Sequence, residues 1–301
     1  MRVFVTGIGG FLGLYLGRAL RARGHALSGC YLGHKPDLGA APLVEVTLEE
    51  GEALGRAIAE ADPEVVVHLA GLSHVGESWK RIGDYFRANV LGTESLLEAA
   101  AGRRVVFAST SEVYGKVPES EQPLREERQV DPLTPYALTK AAAELLALRE
   151  GATVVRCFNL VGPGQTPMFA LPAFAQQLAA IRRGEREAAL HVGDLSARRD
   201  FVHVEDGAEA YALLVERGEP GVVYNLATGQ AHSIREALDE LLAVAAVGAR
   251  IVEDPERLRP VDIPLLCGEA SRLRALGWAP RRSLGDAVRD LWSSVINGPR
   301  N

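Results

Sequence analysis

The first thirteen residues constrain this chain more than any others. Arg2-Val-Phe-Val-Thr6 is an apolar run of strand length, and it passes directly into Gly7-Ile-Gly-Gly10-Phe-Leu-Gly13. A helical stretch over 14–23 follows and stops at Gly24. Glycine lets a backbone turn tightly and come close to an anion. The helix start then offers unpaired N–H groups and the positive end of its dipole. Three glycines also occur in turns that serve only helix–strand packing. Their position in the first strand–helix unit favours a nucleotide site built on Gly7, Gly10, Phe11, Leu12 and Gly13.

The same alternation continues. Strand-like runs at 26–31, 43–46, 64–69, 104–108 and 153–158 are separated by helical stretches at 52–61, 85–101 and 134–149. Short apolar strands between helices predict an α/β fold, a doubly wound parallel sheet with its ligand crevice at the carboxyl ends of the strands. This pattern fills residues 1–160. Residues 161–301 mix Gly/Pro loops with helical stretches at 172–183, 234–247 and 283–296, and read as a smaller C-terminal α/β substrate domain. Part of 200–230 is expected to return to the first sheet.

Composition excludes several classes. With 33 basic and 39 acidic residues the net charge is −6, so no basic field attracts nucleic acid or an acidic membrane. No apolar run reaches the ~18–20 residues that span a bilayer. The start reads as a strand rather than a secretory signal or transit peptide. Cys30, Cys157 and Cys267 are far apart and never in CxxC spacing. That excludes a disulfide framework and a cysteine metal site, no metal is expected, and the cytoplasm is the expected compartment.

The choice of coenzyme turns on the end of the second strand. An acid there would bind the ribose hydroxyls of NAD. This chain runs Tyr31-Leu-Gly-His-Lys35 with no acid before Asp37. Lys35 is placed either to meet the 2′-phosphate of NADP or to sit in solvent. Glu45, after the third strand, is placed either to accept from an adenine amino group or to be a surface carboxylate.

The chemistry is carried by Tyr136-Ala-Leu-Thr-Lys140. Thr134 is placed as helix N-cap and Pro135 as the first helical residue. Residues four apart on a helix share a face, so phenol and ammonium can converge. An adjacent cation stabilises phenolate and lowers a phenol pKa from ~10 towards working pH. Such a group can exchange a proton with a substrate oxygen while hydride moves. Chance gives about 0.09 such pairs in a chain of this composition. Of the basic residues 29 are Arg and only four Lys, yet one Lys stands here. A third group is needed to fix the substrate oxygen. The strand over 104–108 leads into Ser109-Thr110-Ser111-Glu112, and Thr110 is the first choice. Glu112 is placed to take a carbon-bound proton, or to bond a substrate hydroxyl or a backbone amide.

These residues resemble the extended short-chain dehydrogenase/reductase superfamily of nucleotide-sugar epimerases, dehydratases and reductases. The likeness includes Thr6-Gly-x-x-Gly10-x-x-Gly13, His68-Leu69-Ala70-Gly71, Asn89-Val-x-Gly92-Thr93, Ser109-Thr-Ser-Glu-Val-Tyr-Gly115 and Tyr136-x-x-x-Lys140. It continues through Arg156-x-x-Asn159-x-x-Gly162-Pro-Gly164, Arg199-Asp-Phe201, Tyr224-Asn225-Leu226, Arg259-Pro-x-Asp262 and Gly277-Trp278. The second half is most similar to GDP-6-deoxy-4-keto-mannose reductases, through Gly162-Pro-Gly-Gln165, Gly193-Asp-Leu and the stretch around Arg259. The Thr110-Ser111-Glu112 set departs from them and resembles GDP-mannose 4,6-dehydratases.

The resemblance implies a Rossmann fold and NADP or NAD as coenzyme. Leu69, Ala70, Gly71 and Asn89 would join the coenzyme site. The substrate would be a nucleotide sugar, GDP-linked in preference, met by Ser111, Asn159, Arg199, Arg259 and Asp262. The implied reaction is hydride transfer to C4 of a 4-keto-6-deoxy sugar. Thr110 orients the oxygen, Tyr136 protonates it, and Lys140 lowers the Tyr136 pKa and holds the ribose. A dehydratase, a UDP-sugar 4-epimerase and a coenzyme-binding protein without catalysis are the alternatives. A homodimer is expected through helices 84–101 and 135–149, with Leu91, Leu96, Leu97, Leu138, Leu145, Leu146 and Leu148 as apolar content.

Overall fold

The computed structural model describes residues 1–257 and 263–298. The chain opens with β1 (Arg2–Thr6), α1 (Phe11–Ala22), β2 (Ala26–Tyr31), β3 (Leu43–Glu45), α2 (Gly51–Ala61) and β4 (Val65–His68). Next come α3 (Val75–Ser78), α4 (Ile82–Tyr85), α5 (Gly92–Ala99), β5 (Arg104–Thr110), α6 (Pro135–Arg149) and β6 (Thr153–Cys157). The cap begins with β7 (Asn159–Val161), α7 (Ala170–Arg182), β8 (Ala189–Val192) and β9 (Arg198–His203). Then follow α8 (Val204–Arg217), β10 (Val223–Leu226), β11 (Ala231–Ser233), α9 (Ile234–Ala245) and β12 (Arg250–Glu253), before β13 (Leu265–Leu266), α10 (Ser271–Ala275) and α11 (Leu284–Asn297).

Seven strands form one parallel sheet in the order β3-β2-β1-β4-β5-β6-β10. The order reverses between β1 and β4, and that is where a doubly wound sheet opens its crevice. Strand residues alternate between two buried faces, which explains their continuous apolar character. Val3, Val5, Val65, Val67, Val106 and Val155 pack with Leu16 and Leu20 of α1 and with α8. Phe4, Val66, Val105, Phe107 and Val154 pack with Leu54 and Ile58 of α2, Leu96 of α5 and Ala143 of α6. A separate core joins α7, α9 and α11 through Phe174, Leu178, Leu238, Leu241, Leu291 and Trp292.

The cap sheet has the order β11-β9-β13, with β7 also on β9, while β8 pairs with β12. Helix α8 covers the main sheet and β10 extends it. Trp278 fastens α8, its Nε1 donating to the Asp206 carbonyl at 2.9 Å. Among the described residues, no helix is long and apolar enough to cross a membrane.

Among the differences from the sequence reading, two bear on the site. Helix α1 starts at Phe11, because Gly10 itself takes the extended N-cap conformation. Residues 85–101 are not one helix: a π-helical turn, Phe86–Leu91, separates α4 from α5. The apolar spacing continues through that turn, so periodicity alone does not reveal it. A single wide turn of this kind repositions the side chains it carries, here Asn89.

Candidate active site

The glycine loop and the loop after β4 touch backbone to backbone. Gly7 has φ +68°, and a Cβ there would stand 2.9 Å from both N and Cα of Ala70. A Cβ on Gly13 would strike the Gly7 carbonyl and the Ile8 backbone, so helix α1 lies flush against the loop. Gly10 caps α1 with no side-chain hydrogen bond, and no cap side chain competes for the first-turn N–H groups of Phe11, Leu12 and Gly13. This cradle fits the pyrophosphate of a dinucleotide.

The structure brings Leu69, Ala70 and Gly71 to the same crevice. Asn89, by contrast, spends its amide on protein: Oδ1 accepts from Leu72 N–H at 2.8 Å, and Nδ2 donates to the Leu72 carbonyl and Thr139 Oγ1, both at 3.0 Å. A Cβ on Gly71 would lie 2.8 Å from that Oδ1. Glu45, the last residue of β3, accepts from the Gly33 N–H at 3.1 Å and so holds the turn after β2. Lys35 is exposed in that same turn region.

Tyr136, Lys140 and Thr110 are all buried. Thr134 caps α6 through the Ala137 N–H at 3.1 Å, with Pro135 at the first helical position, and this sets Tyr136 at the mouth of the helix. Thr110 Oγ1 accepts from the Glu112 N–H at 3.2 Å, so its own proton is left to donate. The Tyr136 ring meets Tyr85 edge-on at 6.4 Å, and the two pack with Val75 and Leu72.

The electrostatics correct one expectation. The Tyr136 pKa is raised above its ordinary value, not lowered. Burial raises it most, a side-chain hydrogen bond with Thr110 opposes the shift, and the nearby Glu112 charge adds to it. The Lys140 Nζ lies over the Phe107 ring, 4.4 Å from the centroid. Burial brings the Lys140 pKa down to about 8, and Glu144, one turn on, opposes that fall.

Ser109 and Thr110 separate by strand alternation. Ser109 donates to the buried Glu144, which also holds Arg156 through Nη2 at 2.6 Å and Nε at 3.1 Å. Ser111 is buried at the start of a short 3₁₀ turn, and Glu112 is half-buried behind it.

On the substrate side Asn159 opens β7 and is half-buried. Arg199 is buried, with Nη1 donating to the carbonyls of Arg198 and Ile263 at 2.9 and 2.7 Å. Sequence reasoning gave this guanidinium to the substrate diphosphate; in the structure its Nη1 also holds backbone carbonyls. Arg259 and Asp262 lie outside the described residues.

Several residues had no role in the sequence reading. Asp200 accepts from Thr228 N–H and Oγ1 and from Gly229 N–H, at 2.8, 2.6 and 2.9 Å. Asn225 is saturated by Tyr114, Leu124, Glu126 and Glu269. The available signal was a polar residue inside a buried apolar run, as at Arg156, Asp200 and Asn225.

Comparison with known proteins agrees with this geometry. The family model described as GDP-mannose 4,6 dehydratase matches residues 4–291. The GDP-6-deoxy-D-mannose reductase of Pseudomonas aeruginosa is 36% identical, over 98% of both chains. The structure of RMD from Pseudomonas aeruginosa complexed with NADPH superposes with TM-score 0.85 at 35% identity, covering 98% of this chain and 99% of that one. The UDP-glucose 4-epimerase of Thermus thermophilus in complex with NAD gives TM-score 0.89 at 29% identity, over 99% and 100%. The fold, the glycine cradle and the full-length matches agree: the chain belongs to the GDP-mannose 4,6-dehydratase family of the extended short-chain dehydrogenases/reductases.

Proposed function

We propose that this protein is an NAD(P)-dependent nucleotide-sugar reductase acting on the C4 ketone of GDP-4-keto-6-deoxy-mannose. The observation that carries the reading is the placement of Tyr136, buried in the first turn of α6 and hydrogen-bonded to Thr110. A phenol whose pKa is raised by burial keeps its proton through the working range, and a group that must protonate an alkoxide needs that proton. The full-length likeness to a GDP-6-deoxy-D-mannose reductase supports the same direction.

The bound coenzyme supplies the hydride. Gly7, Gly10, Phe11, Leu12 and Gly13 hold its pyrophosphate, and Leu69, Ala70 and Gly71 flank it. Lys35 is the residue that would meet a 2′-phosphate, and the NADPH-bound neighbour supports that choice over NAD. Tyr136 donates its proton to the oxygen at C4. Thr110, hydrogen-bonded to Tyr136, steers the same oxygen. Lys140 holds the ribose, and Glu144 helps it remain charged. Ser111 and Asn159, with Arg259 and Asp262, are assigned to the sugar nucleotide, the coenzyme to residues 1–160 with part of 200–230, and the substrate to 161–301.

Two copies pair through α4 to α6: Ile82, Phe86, Leu91, Leu138 and Leu145 are exposed there, whereas Leu96 is buried. The free cysteines suit a reducing cytosol.

Glu112 supports a second reading, as a dehydratase, because it lies close enough to act on the Tyr136 charge. Incubation with GDP-4-keto-6-deoxy-mannose and NADPH or NADH, following oxidation of the dinucleotide, tests the first reading. Conversion of GDP-mannose without added coenzyme would support the second and displace it.

A further inference from the structure

Beneath the crevice runs a hydrogen-bonded chain whose protons can be placed one by one. The Ala70 N–H donates to Thr6 Oγ1 at 3.2 Å. Thr6 lies 2.8 Å from His68 Nδ1, and His68 Nε2 lies 3.1 Å from Thr93 Oγ1. Thr93 donates to the Asn89 carbonyl at 2.6 Å. A hydroxyl has one proton to give. Thr93 has given its own, so it accepts from His68 Nε2–H. His68 Nδ1 is then an acceptor, and Thr6 donates to it. The ring is neutral and in one tautomer. Burial agrees, pushing the His68 pKa down to about 3, with the Lys140 charge acting in the same sense.

The chain does not stop at Asn89. Its Nδ2 donates to Thr139 Oγ1 at 3.0 Å, and Thr139 donates to the carbonyl of Tyr136 at 2.8 Å. Every side chain in it is buried. One end is thus the backbone of the loop packed on Gly7, and the other is the backbone of the candidate acid. The His68 ring also meets Phe107 at 5.7 Å, the ring whose face carries Lys140.

We propose that His68 is a positioning residue for hydride transfer: it fixes the Leu69–Gly71 loop, and so the coenzyme, in register with Tyr136 and Lys140. It touches neither coenzyme nor substrate and acts through Thr6 on one side and Thr93 on the other. Fully connected buried networks of this kind select one arrangement of the backbone they tie together. The inference rests on the coenzyme seat proposed above.

The test is equilibrium binding of NADPH to the folded protein, with no sugar present, followed by turnover at saturating NADPH. His68→Phe keeps a planar ring and deletes both hydrogen bonds. The expected result is a Kd for NADPH weakened about tenfold or more and a lower turnover even when coenzyme saturates. His68→Gln, which can still meet Thr93, is expected to recover part of both losses. Thr93→Val, isosteric and missing one bond, is expected to show the same changes in smaller measure and carries the test if His68→Phe does not accumulate. A lower melting temperature with wild-type Kd and turnover at 25 °C would reduce His68 to a fold residue and overturn the inference. Wild-type protein that binds neither NADPH nor NADH removes the seat and the inference together. Wild-type binding with unchanged variants overturns the inference alone.

Discussion

Two kinds of buried polarity hold the molecule together, in different places. Under the coenzyme crevice, Thr6, His68, Thr93, Asn89 and Thr139 form a chain without charge. Behind β6 and in the cap, the buried groups are ions. Arg156 pairs with Glu144, Asp200 gathers donors from 228–229, and Asp206 accepts from the N–H groups of Arg281 and Arg282. The placement has a physical logic. Glu144 of the ionic set lies one turn from Lys140 and supports its charge, whereas the neutral groups fix the backbone and leave the charges of Tyr136 and Lys140 alone. Where only the fold depends on the link, an ion with its donors in place serves as well.

Changing the acid itself has the largest expected effect. Tyr136→Phe should lower turnover by about 10²–10⁴-fold with coenzyme binding largely retained, read by stopped-flow oxidation of NADPH beside a binding titration. Next comes the ionic network. Arg156→Met leaves Glu144 buried without its partner and should cost about 3–5 kcal/mol in urea unfolding. Asp200→Asn replaces an acceptor by an amide whose N–H₂ faces other donors, and should cost about 1–3 kcal/mol.

A titration separates the two networks by pH. His68 is neutral when folded, with a pKa near 3, and charges below ~6.5 when unfolded. The unfolded chain therefore binds the extra proton, and this contribution is present above pH ~6.5 and lost as pH falls towards 3, at up to about 1.4 kcal/mol per unit. Asp200 runs the other way: burial raises its pKa when folded, so its contribution falls as pH rises through that folded value. Hydrogen exchange at pH 7 and pH 5 should show the 65–72 and 89–93 segments loosening first. Equal loosening of the 198–203 and 228–230 segments would remove the contrast.

The alternating strand and helix pattern made the sheet and its crevice legible from residues alone, because each buried strand is an unbroken apolar run. Glycine spacing located the cradle, and the Tyr136–Lys140 spacing pointed to two residues that the structure buries on α6. The sign of the Tyr136 shift was not legible. A four-residue spacing places Lys140 on the same helix face but does not say that its Nζ will lie over the Phe107 ring or that burial will dominate the phenol. Nor does the motif around Arg199 say that its Nη1 will hold the carbonyls of Arg198 and Ile263. The π turn at 86–91 escaped because its spacing is compatible with an ordinary helix.

The central claim is that a protonated Tyr136 serves a ketone receiving hydride at C4. Reaction of GDP-4-keto-6-deoxy-mannose with NADPH deuterated at its transferable position tests it most directly. The account predicts deuterium bonded to C4 of the product sugar, one label per NADPH oxidised, with no label transferred by Tyr136→Phe on the same timescale. Unoxidised NADPH, or a label at another carbon, would contradict it.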